Sequence, residues 1–160
     1  MLLLRKMLAI EYSDYLNYFI PDYAVEISSS YGLSEAVSLE QAKWEIADEL
    51  PDGIHTSGQM LMCLVEPTET SEKLIGYLWY RPDAEMRSAF ICDFHILAAY
   101  QGRGLAKRAL ELLEAHLTGK GFEQIKLRVA EGNNRARHVY AAAGFRVTGV
   151  NMRKAIEAKE

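Results

Sequence analysis

Tyr100-Gln101-Gly102-Arg103-Gly104-Leu105-Ala106-Lys107 decides how this chain is read. A strand-like run, Phe90 to Leu97, leads into it, and a strongly amphipathic run, Leu105 to Leu117, leads out. A helix that opens on a glycine turn has several backbone N–H groups without intrahelical partners. Gly102 and Gly104 carry no Cβ, so a ligand can approach that backbone closely. The helix dipole adds partial positive charge at the same place. Together these features predict a socket for a phosphate or pyrophosphate.

The pattern on either side of the turn predicts the fold class. Upstream, the apolar Met1 to Ile10 reads as a first strand, although Arg5 and Lys6 interrupt it. It lacks a clear signal-peptide cleavage pattern and is too short to span a bilayer. Tyr12 to Ser30 places Tyr, Phe and Ile at roughly helical spacing. Ser38 to Leu50 reads as a second helix, with Ser38 as N-cap and Gln41 completing a capping box. Gln59 to Glu66 and Lys73 to Tyr80 read as a hairpin across Pro67-Thr68-Glu69-Thr70. Ser88 to Leu97 is a further strand. Leu105, Ala109, Leu112, Leu113 and Leu117 form a core-facing helical stripe, and Gly119 and Gly121 stop it. Gln124 to Val129 alternates, with Ile125, Leu127 and Val129 on one face. Asn133 to Ala143 reads as a short helix, and Gly144-Phe145 opens a last strand or hairpin through Val150 and Met152. The result is a mixed α/β sheet, parallel where a helix crosses over and antiparallel elsewhere.

The chain has 160 residues, suited to a single domain, 1–160, around one core. Its apolar fraction of 49% and charged fraction of 25% are those of an ordinary soluble globular protein. The net charge of −4 argues against general nucleic-acid binding and suits cationic substrates. Cys63 and Cys92 lie apart in apolar runs, which suits a reduced, cytoplasmic setting better than a disulfide framework or a zinc site. His55, His116 and His138 lack metal-ligand spacing, so no metal is expected.

Two readings of the glycine turn compete. A dinucleotide-binding unit wants G-x-G-x-x-G/A followed by an acidic residue. Gly102, Gly104 and Glu131 fit, but the third small position is Lys107, and a second nucleotide-binding half has no room. That reading would make the protein a nicotinamide-dinucleotide binder.

The other reading is the stronger. Gln101-x-x-Gly104-x-Ala106 resembles the Q/R-x-x-G-x-G/A motif of the GNAT superfamily, the Gcn5-related N-acetyltransferases. Ile91, Phe94 and Ile96 resemble the apolar positions of that family's fourth strand. Asn133, Ala136, Tyr140, Gly144 and Phe145 resemble its N-x-x-A-x-x-x-Y-x-x-x-G-F signature. The likeness covers about residues 60–152, and it is to small bacterial members of unassigned acceptor. The acceptor-side helices, about 11–50, match only in order. The resemblance implies a mostly antiparallel sheet of six or seven strands, flanked by about four helices, with strands 4 and 5 parallel and splayed.

It further implies acetyl-CoA as co-substrate and an amine as acceptor, with no nucleic acid or membrane partner, and a homodimer as the family often forms. The backbone N–H groups of Gly102, Arg103, Gly104, Leu105, Ala106 and Lys107 would take the diphosphate, with Arg103 or Lys107 adding a cation. The pantetheine arm would pair like an added strand along Phe94, His95 and Ile96. Gln101 belongs to the motif. Asn133 would bond that arm and also cap the last helix.

Direct transfer to an amine needs a base for the ammonium and an acid for the departing thiolate. The family assigns the acid to the tyrosine matching Tyr140. On the fourth strand, alternation puts Asp93 and His95 on one face and Phe90, Cys92, Phe94 and Ile96 on the other. Either Asp93 or His95 could remove the proton, directly or through water. A glutamate that the family often places near Phe90 is missing. The expected function is thus an acyl-CoA-dependent N-acetyltransferase acting in a ternary complex. A non-catalytic acetyl-CoA sensor is the alternative from another class.

Overall fold

The computed structural model describes residues 1–157. Its strands are β1 (Leu3–Lys6), β2 (Met60–Pro67), β3 (Glu72–Asp83), β4 (Ser88–Ile96) and β5 (Gln124–Leu127). Its longer helices are α1 (Tyr12–Tyr31), α2 (Glu35–Glu49), α3 (Leu105–Gly119) and α4 (Asn134–Ala142). The strands form one sheet in the order β1-β2-β3-β4-β5. All neighbours are antiparallel except β4 and β5, which are parallel and joined through α3.

The strand count corrects the expected six or seven to five. The apolar alternation near the C-terminus forms no strand: residues 144–157 are irregular, and Val147, Val150 and Met152 are exposed. A strand must find partners for its N–H and C=O groups. None of the described strands pairs with this segment, so beyond Phe145 its Val147, Val150 and Met152 side chains gain no burial.

The second helix also starts earlier than expected. Gly32, at φ 68°, ends α1 in the left-handed region, and Ser34 then caps α2 by accepting from the Val37 N–H at 3.2 Å. Ser38, expected as the cap, is instead fully buried inside α2. Within α1, Pro21 lacks an N–H, so the Asn17 carbonyl loses its intrahelical donor.

Side-chain alternation along the strands divides the core between two faces. On one, Tyr15 and Phe19 of α1 and Ile46 of α2 pack on Cys63, Val65, Tyr77 and Trp79. On the other, Leu110, Leu113 and Leu117 of α3 pack on Met62, Leu78, Tyr80 and Ile91. Leu113 is wholly buried. Truncating such a residue to Ala typically destabilises by about 2–5 kcal/mol, through lost transfer energy plus a cavity. This core holds the ends of β4 and α3 in register, and those ends build the site.

Candidate functional site

Gly102 and Gly104 both adopt left-handed backbone, at φ 78° and 74°, and Gly104 caps α3. Only glycine takes that conformation routinely. Nothing lies within 4 Å of where a Cβ would stand on either residue, so the turn opens to solvent. Among the described residues, no protein group accepts a hydrogen bond from the N–H groups of residues 102 through 107. The next N–H, that of Arg108, turns inward to the Gly104 carbonyl. Leu105 and Ala106 anchor the turn through their side chains, which pack against the cluster of Leu2, Leu64, Ile75 and Ile96. Unpaired donors at a helix N-terminus favour an anion. Arg103 folds over the Tyr100 ring at 5.8 Å, while Lys107 is exposed in the first turn of α3.

A slot runs from this turn into the sheet. β4 and β5 pair only from Ser88↔Gln124 to Ile91↔Leu127. β4 continues to Ile96 with β3 as its only neighbour among the described residues, so the two parallel strands part beyond Ile91. The Leu97 N–H donates to the Ile75 carbonyl on the β3 side. Strand alternation therefore turns the backbone groups of Phe94 and Ile96 towards the slot. The Ile96 carbonyl receives the Gln101 side-chain amide at 2.8 Å, and Gln101 Oε1 accepts from Arg135 at 3.1 Å. Gln101 thus ties the end of β4 to the first turn of α4. Asn133 caps α4, its Oδ1 accepting from the Ala136 N–H at 3.2 Å. Gly76 matters on the other side of β4, because a Cβ there would collide with the His95 carbonyl oxygen.

The alternation expected for β4 needs one correction. Trp79 pairs with Asp93 and Tyr80 with Ile91, leaving Cys92 unopposed in a bulge. Two residues face one across such a bulge, and the parity of the strand changes there. Cys92 therefore joins the α1-side cluster beside Asp93, whereas Ile91 and Phe94 pack on the α3 side. Alternation carries Phe90 to the Cys92 side as well. Asp93 and His95 do share a face, and it is the one covered by α1.

There the Tyr15 hydroxyl donates to Asp93 Oδ2 at 2.9 Å, and the Tyr18 hydroxyl donates to Oδ1 at 3.1 Å. The Tyr18 ring also lies flat on the His95 imidazole, with centroids 3.9 Å apart and planes 13° from parallel. Asp93 as a residue is half-buried, and protein closely surrounds its carboxyl. Burial raises its pKa to about 7, against the lowering effect of the two phenols. Asp22 and Glu26, one turn apart on α1, push it the same way as burial. Burial lowers the pKa of His95, so that ring is held neutral.

Tyr140 reaches the same region from α4. Its ring packs on Phe94 at 6.5 Å and on Phe145 at 5.6 Å. Burial, and then the Asp93 charge, raises its hydroxyl to about 12, so it stays protonated at neutral pH. The arrangement therefore brings a protonated hydroxyl, a carboxyl poised to titrate near neutrality and a neutral imidazole to one end of a slot. The other end is the glycine turn with its unpartnered N–H groups. The hydrogen bonds from Tyr15 and Tyr18 escape sequence reasoning, which places both residues in the core or a pocket wall. Their helical spacing was the only local signal. Glu26 and Arg128 form another long-range link, 3.2 Å apart, between α1 and the end of β5. No group of three or more His, Cys, Asp or Glu side chains among the described residues is placed to hold a metal ion.

Comparison with known proteins gives a consistent result. The sequence model of the acetyltransferase (GNAT) family matches residues 23–145. YycN, an uncharacterised N-acetyltransferase of Bacillus subtilis strain 168, is 33% identical over 157 residues, covering 96% of this chain and 97% of that relative. The crystal structure of the Bacillus subtilis YycN acetyltransferase superposes with a TM-score of 0.90 at 30% identity, covering 99% of this chain and 100% of that one. The PaiA N-acetyltransferase of Thermoplasma acidophilum, solved in complex with coenzyme A, shares the fold at a TM-score of 0.68 and 16% identity, covering 94% of this chain and 93% of that one.

Proposed function

We propose, from the premise that this chain belongs to the acetyltransferase (GNAT) family and is an acyl-CoA-dependent N-acetyltransferase, that it moves an acetyl group from acetyl-CoA to a primary amine by direct transfer in a ternary complex. The observation that carries the proposal is the run of unpartnered N–H groups at residues 102 through 107, set beside the slot where β5 leaves β4. Gly102 and Gly104 leave room there that any side chain would fill. A diphosphate fits those donors, and Arg103 and Lys107 supply cations within reach. A pantetheine arm then lies along Phe94, His95 and Ile96 as an added strand, with Asn133 at its side. Gln101 acts mainly by holding the slot edge, since both ends of its amide are engaged by protein.

The chemistry divides between the two sides of the slot. An ammonium must lose a proton before its nitrogen can attack, and Asp93 is the better placed base. Its carboxyl titrates near neutrality, while His95 stands on the same face of β4 as a neutral ring. Attack forms the N–C bond, and collapse breaks the C–S bond. Tyr140, still protonated, gives its proton to the departing thiolate, and the proton that the acylated nitrogen sheds restores it. Asp22 and Glu26, the latter paired with Arg128, add negative charge near Asp93, which suits a cationic acceptor. Free Cys63 and Cys92 suit a reducing, cytoplasmic setting. No helix among the described residues is long and apolar enough to cross a membrane.

Two measurements test the proposal. Calorimetry should give heat with CoA and none with NAD. A panel of small amines, amino acids, peptides and lysine derivatives should then yield at least one acceptor that releases free thiol from acetyl-CoA. Binding of NAD in place of CoA, or CoA binding without thiol release for any amine, would overturn it.

A further inference from the structure

We propose that Tyr18 is a positioning residue for the transfer: its hydroxyl fixes the Asp93 carboxylate while its ring fixes the His95 imidazole, so one side chain sets the geometry of both groups. The inference rests on the reading of Asp93 as the base. It begins from an asymmetry between the two tyrosines. Tyr15 is wholly buried and serves the core, packing edge-on to Tyr77 at 4.9 Å and stacking with Phe19 at 5.6 Å. Tyr18 is half-buried and bonds the other carboxyl oxygen. Tyr18 alone touches both candidate groups, through a 3.1 Å hydrogen bond and a 3.9 Å ring stack. Stacked behind it, Tyr77 of β3 holds its ring at 5.9 Å and 18°.

Position has an electrostatic consequence. A hydroxyl that donates to a carboxylate favours the charged form and lowers its pKa. The other groups facing Asp93 do not replace that effect. Asp22 and Glu26 on α1 oppose ionisation, with Glu26 partly compensated by Arg128. Cys92 on β4 and the Tyr140 phenol of α4 are held neutral by burial. The two phenols on α1 are therefore what keeps this carboxyl from rising further. Only the Tyr18 hydroxyl can be removed with little disturbance of the core.

The test uses the intact chain and two readouts. Carboxyl carbon and imidazole NMR titrations follow Asp93 and His95 directly, and the pH profile of kcat/KM follows thiol release from acetyl-CoA with an amine found in the panel. Tyr18→Phe keeps the stacked ring and loses one donor. Its Asp93 midpoint should rise by about 0.5 pH unit or more, with the His95 signal unmoved. The acidic limb of kcat/KM should rise with it. Tyr18→Ala should also move the His95 midpoint up towards that of a solvated ring. An unmoved Asp93 midpoint and an unmoved acidic limb in Tyr18→Phe would overturn the assignment. Asp93→Asn separates this failure from that of the underlying reading. If Asp93→Asn is inactive while Tyr18→Phe behaves as wild type, only the role of Tyr18 falls. If Asp93→Asn keeps its rate and pH profile, the base itself is misassigned and the positioning role falls with it.

Discussion

The Tyr15 hydroxyl meets the Asp93 carboxylate at 2.9 Å, joining α1 to β4 across 78 residues of sequence. A bond between a fully buried phenol and a carboxyl hemmed in by protein links the core of the fold to the chemistry of the slot. The carboxyl is the less stable partner there. Burial raises its pKa from 3.8 to about 7, so the folded state binds its proton more tightly than the unfolded chain does.

The sign of the resulting pH dependence follows from that difference. The stability contributed by protonated Asp93 is present in full below about pH 4 and is lost as pH rises through about 7. Asp93→Asn, which cannot ionise, should therefore gain thermal stability relative to the native chain as pH rises from 5 to 8. Melting curves at both pH values would show it, and a constant difference between the two proteins would contradict it. Acetyl transfer should run the opposite way, with kcat/KM of the native chain rising through about pH 7 as the base form appears.

Gly76→Ala should be severely destabilising, because the new Cβ would strike the His95 backbone carbonyl across the β3–β4 ladder. Backbone cannot yield there without moving the strand that carries Asp93 and His95. A loss of about 4 kcal/mol or more in urea unfolding, or failure to fold, is expected. A loss under about 1 kcal/mol would show that the two strands are not so tightly apposed.

Gly104→Ala should behave differently. No atom lies within 4 Å of its added Cβ, so the steric effect is confined to the φ of 74°. That strain destabilises by about 1–2 kcal/mol. The methyl group would, however, stand over the unpaired N–H groups. Calorimetry should therefore show CoA affinity falling about tenfold or more, a loss of about 1.4 kcal/mol in binding. Unchanged affinity would mean that the diphosphate sits elsewhere.

What sequence made legible was local. The α3 stripe of Leu105, Ala109, Leu113 and Leu117 and the glycines before it are a short-range pattern, and they stand in the structure where the pattern puts them. The parallel β4–β5 pair follows from the helix between them. What escaped depended on distant partners. The side to which Cys92 points is decided by the register of β4 on β3, so counting alternate residues fails at the bulge. Ser34 and Ser38 are one helical turn apart and chemically equal, and only packing of α2 on α1 decides which is the cap and which the buried residue. The terminal alternation through Val150 and Met152 is a strand pattern without a neighbouring strand. The phenol pair on Asp93 spans 75 and 78 residues and had no local signature beyond helical spacing.

Tyr140→Phe examines the proposed acid directly. The ring would keep its contacts with Phe94 and Phe145, so fold and CoA affinity should be nearly unchanged. The hydroxyl has no hydrogen-bond partner among the described residues, so its removal leaves no buried group unpaired. Because burial holds that hydroxyl protonated up to about pH 12, it is an acid across the working range and not a nucleophile. Its loss should lower kcat by roughly 10²–10³-fold with little change in KM. The deficit should shrink with a donor thioester whose thiolate is a weaker base, since such a leaving group needs less help from an acid. A uniform deficit across donor thioesters of graded thiol basicity would mean that Tyr140 serves to pack the slot and not to protonate the sulfur.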